Sequence, residues 1–126
     1  MNTQQQEILN QLEEFGWQVV TREEAPLDWW ADEIWLLASI WSPTDCKIYI
    51  TFLVDPMWET PRKKSEGVWA VKASLERPTG YQCQATEVEI SLGRGWKERL
   101  PEFFESLSKF RSAWKLRCQE SSTIGN

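Results

Sequence analysis

Hydrophobic positions along this chain change their period twice. Near the start, Ile8, Leu9, Leu12 and Phe15 recur at helical spacing. Thr3-Gln4-Gln5-Gln6 ahead of them fits a capping box, and Gly16 behind them suits a left-handed helix end. The pattern predicts a helix over 4–15, with Gln5, Glu7, Gln11, Glu13 and Glu14 on its wet side. From there the period becomes two. Residues 17–21 are short, apolar and partly β-branched, and predict a first strand. Residues 22–32 carry Pro26 and several acids and read as a connection, with Asp28 able to cap a turn through Trp29-Trp30-Ala31.

Residues 33–41 alternate with apolar side chains on both faces. Ile34, Leu36 and Ile40 point one way, and Trp35, Leu37 and Trp41 the other. Ser42-Pro43-Thr44-Asp45 is turn chemistry, and 46–54 alternates again, so the pair predicts an antiparallel hairpin. Residues 55–66 read as a long exposed loop, basic at its end. Residues 67–75 predict another strand, and 77–80 a turn. Residues 81–92 predict a last strand whose phase slips near Ala85-Thr86, as a β-bulge would make it, with Glu87, Glu89 and Ser91 on its wet face. Gly93-Arg94-Gly95 breaks the sheet. Leu100, Phe103, Phe104, Leu107, Phe110 and Trp114 then return to helical spacing over 97–117, with Pro101 in the first turn.

The predicted fold class is α+β: an antiparallel meander of four to five strands with the N- and C-terminal helices on one face, α-β-β-β-β-β-α. Residues 1–118 form a single domain, and 119–126 a disordered tail. The expected helix-facing side carries Ile34, Leu36 and Ile40, Ile48, Ile50 and Phe52, Trp69, Val71 and Leu75, and Val88, Ile90 and Leu92. The opposite face then carries Trp35, Leu37, Trp41, Tyr49, Thr51, Leu53, Val68, Ala70 and Lys72. An antiparallel sheet with one wet face alternates apolar with polar. Here the second face is greasy as well, so something must cover it. The candidates are the chain's own loops with Trp29, Trp30 and Trp58, a second copy, or another partner.

Composition narrows the function. The chain has 126 residues and a net charge of −5, and its acids and bases are unevenly placed. Residues 1–60 hold eleven acids and two bases, whereas 61–126 hold eight acids and twelve bases. The acidic average argues against nucleic acid. The division of charge suits either halves that compensate each other or an oriented partner. No apolar stretch approaches the length that spans a bilayer, and the N-terminus lacks a signal-peptide pattern. Three widely spaced cysteines, 46, 83 and 118, form no CxxC pair and fit a reducing, cytoplasmic setting. There is no histidine, which removes the usual base and the commonest metal ligand. Nine tryptophans are more than a small core easily hides.

The constellations examined for chemistry favour structure. Asp55 and Lys72 are half of a nuclease-like pattern, but Ala70 stands where a second acid must be. Asp28, Asp32 and Glu33 fit a capped turn better than a cation site. Arg62-Lys63-Lys64 is a brief basic loop. No catalytic residue, metal ligand or cofactor site is assigned.

The block Trp35-Leu36-Leu37-Ala38-Ser39-Ile40-Trp41-Ser42-Pro43, followed by Tyr49-Ile50-Thr51-Phe52-Leu53-Val54-Asp55-Pro56, resembles small uncharacterised proteins of cyanobacteria. That family brings no activity, so no functional residue is implied by the resemblance.

The residues therefore suggest a non-catalytic interaction or adaptor module that acts through Trp35, Trp41, Tyr49, Leu53, Trp58, Trp29 and Trp30 and self-associates or binds another protein. The alternative is a small-ligand binder with an aromatic pocket between sheet and loops.

Overall fold

The computed structural model describes residues 3–24, 30–54, 67–78 and 87–124, with side chains to 116 in the last helix. Five antiparallel strands follow one another in space as in sequence: β1 (Trp17–Glu24), β2 (Ala31–Ser39), β3 (Lys47–Val54), β4 (Val68–Ser74) and β5 (Val88–Ser91). Helix α1 (Thr3–Leu12) precedes the sheet and α2 (Trp96–Ile124) follows it. The expected α+β meander is thus the observed fold.

The first helix ends as its sequence requires. A single tighter turn (Glu13–Phe15) leads into Gly16, whose φ of 81° is left-handed. A Cβ there would also strike the Trp41 ring. At the other end the expected capping box gives way to a different bond. Gln6 Nε2 donates to Asn10 Oδ1 at 2.9 Å, along the helix rather than back to its cap. Gln5, expected on the wet side, is buried, with Nε2 donating to Asp32 Oδ2 at 2.7 Å.

Strand β1 runs three residues beyond its expected end, into the predicted connection. β2 begins at Ala31, inside the expected capped turn, and ends at Ser39. At its end Ser39 N–H still donates to Cys46 O at 2.9 Å and Ile40 N–H to Gly16 O at 2.8 Å, which carries both registers one step further. The bulge expected at 85–86 lies outside the described residues. Register shifts occur instead at Val19/Thr21, Ala31/Ile34 and Leu53/Val54. Helix α2 starts at Trp96 and continues past 117 to Ile124, so Pro101 sits at its sixth position rather than in its first turn.

The principal core lies between the sheet and the helices. Ile48, Ile50, Phe52, Val71 and Ala73 face α2's stripe of Leu100, Phe103, Phe104, Leu107 and Phe110. Phe15 stacks on Phe104 at 4.4 Å. The β3 and β5 faces agree with expectation, but β2 is inverted. Trp35 and Leu37 belong to the helix-side core, and Ile34 to the opposite cluster. Cross-strand partners share a face, and Trp35 pairs with Ile50 and Leu37 with Ile48. The shift at Leu53/Val54 also moves Val68 into the helix-side core and leaves Trp69 exposed. A one-residue slip has this effect on every side chain beyond it.

Trp35 is therefore a core residue. It meets Phe52 edge-on at 4.7 Å, and its buried Nε1 has no hydrogen-bond partner. Trp35→Ala is expected to cost about 3–5 kcal/mol in chemical denaturation. Trp35→Phe removes the orphaned N–H and keeps an aromatic ring, so a cost nearer 1 kcal/mol is expected. Equal losses for the two variants would contradict this placement.

Candidate functional site

The seven aromatic and aliphatic positions expected to form one binding face are not brought together. Trp35 is in the helix-side core. Trp30, Leu53 and the half-buried Tyr49 belong to a second, smaller cluster on the other face. Trp41 lies off the end of β2, 51% exposed. Trp29 and Trp58 lie outside the described residues, as does the basic loop Arg62, Lys63 and Lys64.

The second face is closed by this chain. Ile34, Thr51, Leu53, Ala70 and Ser74 are all buried on it. Trp30 packs over this cluster, anchored where its carbonyl accepts from Val54 N–H at 2.9 Å. Farther along, Arg77, just past β4, forms an ion pair with Glu23 on β1. That pair spans the width of two strands, so the chain leaving β4 turns back over this face. Of the covers the sequence left open, the chain's own segment with Trp30 is the one the described residues place on this face.

Within this closed face sits Lys72, only 1% exposed. A buried ammonium is costly unless it is paired. Its Nζ lies 3.1 Å from Glu87 Oε2 and 5.7 Å from the Trp30 ring centroid. Glu87, expected on the wet face, is drawn inward by this pair. Glu89 stands directly opposite Lys72 on β5. Burial raises the Glu89 pKa above its ordinary 4.5, Lys72 opposes that rise, and Glu87 adds to it. The two carboxylates come from Glu87, just before β5, and Glu89 on β5 rather than from β4, and the sealed ammonium offers a substrate no access. Asp55 lies outside the described residues. The acid cluster near β2 is occupied too. Asp32 accepts from Gln5, and Glu33 pairs with Arg22 at 3.0 Å. Among the described residues no group of three or more His, Cys, Asp or Glu could hold a metal. No described helix is long and apolar enough to cross a membrane.

A cluster that sequence reasoning missed joins three elements. Arg111 on α2 is buried, with its guanidinium 4.1 Å from the Trp17 ring and 4.9 Å from the Trp41 ring. Nε donates to Ser39 Oγ at 2.8 Å, and Nη2 donates to the carbonyls of Phe15 (2.7 Å) and Gly16. Those carbonyls lie at the negative end of the first helix, where a cation is favoured. No carboxylate pairs with Arg111 among the described residues. Burial lowers its pKa, and Cys46 opposes that change. In the sequence Arg111 stands among Lys109, Lys115 and Arg117 near the end of the helical stripe, with nothing local to set it apart. The two indoles that hold it are 94 and 70 positions away.

What remains open is the outer side of β1. It is the first strand of the sheet and pairs with β2 alone among the described residues. The bulge leaves Val20 without a cross-strand partner and 49% exposed. Beside it, Leu9, Leu12 and Glu13 of the first helical segment, with Trp17, Gln18, Val19 and Ile40, line a groove of about 390 Å³. Ile40 at its margin is 44% exposed. Neither periodicity nor composition could locate this groove, because it forms between α1 and a strand edge.

Two variants test the electrostatics. Arg111→Lys keeps the charge but cannot stack between two indoles while reaching three acceptors, and a loss of about 2–4 kcal/mol in denaturant unfolding is expected. A loss below about 0.5 kcal/mol, the ordinary level for surface changes, would show that the clamp is dispensable. For Glu89 the native state binds more protons than the unfolded state just above pH 4.5, so stability falls as pH rises through that window. Glu89→Gln is expected to flatten this fall in a pH series of unfolding curves. An unchanged slope would contradict the assignment.

No family model, curated protein or solved structure matches this chain.

Proposed function

We propose that the chain is a non-catalytic protein-interaction module that engages its partner through the outer edge of β1 and the groove beside it. The observation that carries this reading is an edge with no strand partner among the described residues, with Val20 exposed on it and Ile40 exposed at the margin of the groove beside it. Both faces of the sheet are closed by the chain's own side chains, so the edge is where its backbone donors and acceptors can meet a partner. An extended segment can add to such an edge as a sixth strand, with main-chain hydrogen bonds giving affinity and side-chain pockets giving specificity. A second copy of the chain is one partner of this type, because identical edges can pair about a two-fold axis. The sealed Lys72 and the occupied carboxylates favour binding over catalysis. The buried Cys46 thiol fits a reducing, cytoplasmic setting.

A second reading rests on the groove itself. Its volume lies within the ~300–1,000 Å³ of small-molecule sites, and Glu13 and Gln18 supply polar groups to an otherwise apolar lining. A metabolite panel read by tryptophan fluorescence addresses it, since Trp17 lines the groove. A response at Trp17 with no peptide binding would favour this reading over the first.

Selection of random peptides displayed on phage against the purified chain tests the proposal. Enriched peptides are expected to alternate as strands do and to lose at least about tenfold in affinity for the Val20→Ser/Ile40→Ser variant. Both side chains are about half exposed, so this variant is expected to keep its fold. No enrichment, or binders indifferent to the two substitutions, would overturn the proposal.

A further inference from the structure

The charges around the β1 edge are not balanced. Glu13 and Glu14 precede the strand and Glu24 ends it, and all three are exposed. Among the described residues they carry no ion pair. The charges between them are already engaged, Arg22 with Glu33 and Glu23 with Arg77. The edge therefore has the exposed Val20 at its middle and uncompensated carboxylates at each end, with Ile40 beside the Glu13–Glu14 end, where its N–H donates to Gly16 O. β1 has eight residues and so spans about 26 Å, roughly three screening lengths at physiological salt, and the two acidic ends act separately.

We propose that this edge selects a cationic strand: an extended segment of a partner protein, about eight residues long, apolar at its centre and bearing Lys or Arg at both ends. The inference rests on the edge-binding reading above and adds the chemistry of the occupant. A segment with these charges gains attraction at both ends, sets its apolar centre beside Val20 and reaches the groove near the Glu13 end. A second copy of the chain fits less well. Antiparallel pairing of two β1 strands sets Glu24 of each copy beside Glu13 and Glu14 of the other, and like charges there oppose association. The bulge at Val20 and the flanking carboxylates also discourage indiscriminate edge-to-edge pairing. The same carboxylates favour a basic strand.

Three labelled, end-blocked octapeptides test this by fluorescence anisotropy. They share the centre Val-Thr-Val-Thr and carry two Lys, two Ser or two Glu at each end. At about 50 mM salt the Lys peptide is expected to bind at least tenfold tighter than the Ser peptide, with the Glu peptide weakest, and the gap is expected to narrow by about 300 mM. Glu13→Gln/Glu14→Gln/Glu24→Gln should erase the preference for Lys and leave Ser-peptide affinity unchanged. Glu102→Gln/Glu105→Gln, on exposed positions of α2, should leave the preference intact. Equal binding of the Lys and Ser peptides, lost in Val20→Ser/Ile40→Ser, would overturn the charge inference while edge binding stands. A preference reduced equally by the α2 substitutions would mark general attraction to an acidic protein and overturn it too. Binding of none of the three at about 1 mM, a free energy near −4 kcal/mol, would remove both the inference and the reading beneath it.

Discussion

A buried guanidinium, with no acid beside it among the described residues, holds one end of this fold together. Arg111 lies between two indoles and donates to the last carbonyls of the first helical segment and to Ser39 at the end of β2. Burying a lone charge is costly, so the arrangement requires compensation from several weaker sources at once. The oxygen dipoles at a helix end supply part of it. The faces of Trp17 and Trp41 supply the rest. The geometry leaves little freedom elsewhere. Gly16 must be left-handed and bare for Trp41 to lie against it, and its carbonyl also accepts from Ile40 N–H one step past β2. That bond holds Ile40 at the margin of the groove.

Both faces of the sheet are consequently interior. One packs on the helices. The other is closed by Trp30 and holds the Lys72–Glu87 pair in place of a third helix. Buried ion pairs contribute little net stability, but removing one partner leaves an uncompensated charge. This pair ties the short edge strand β5 to β4 at one side of the sheet. The opposite side, β1, has no such cover among the described residues, and Val20 and Ile40 are left exposed beside it. The proposed interaction surface follows from what the two interiors did not absorb.

Much of the architecture was legible in the sequence. The helical stripes, the alternating strands, the Gly16 helix end and the Gly93–Gly95 break all fall where their residues indicated. The face of β2 did not, because Trp35, Leu37, Ile34 and Leu36 make both of its sides apolar and periodicity cannot rank them. A signal was nevertheless present. A hairpin closed by Trp41 and Cys46 pairs odd-numbered residues of β2 with even-numbered residues of β3, which already sets Trp35 and Leu37 on the side of Ile48 and Ile50. The site was harder to read. Trp41, expected on the second face of the sheet, lies off the end of β2 against Arg111, and that contact, like the groove, depends on distant segments. Lys72 was noticed as a strand lysine, and its burial depends on Glu87, which alternation alone assigned to solvent.

The sheet is closed on both faces and, among the described residues, open along β1. Residue-resolved amide hydrogen exchange on the free chain at low concentration tests this most directly. Amides of β3 and β4 should exchange only with global unfolding, while the outward-pointing amides of β1 exchange orders of magnitude faster. Protection along β1 equal to that of β3, unchanged on dilution, would mean that the edge is already covered and that the binding surface lies elsewhere.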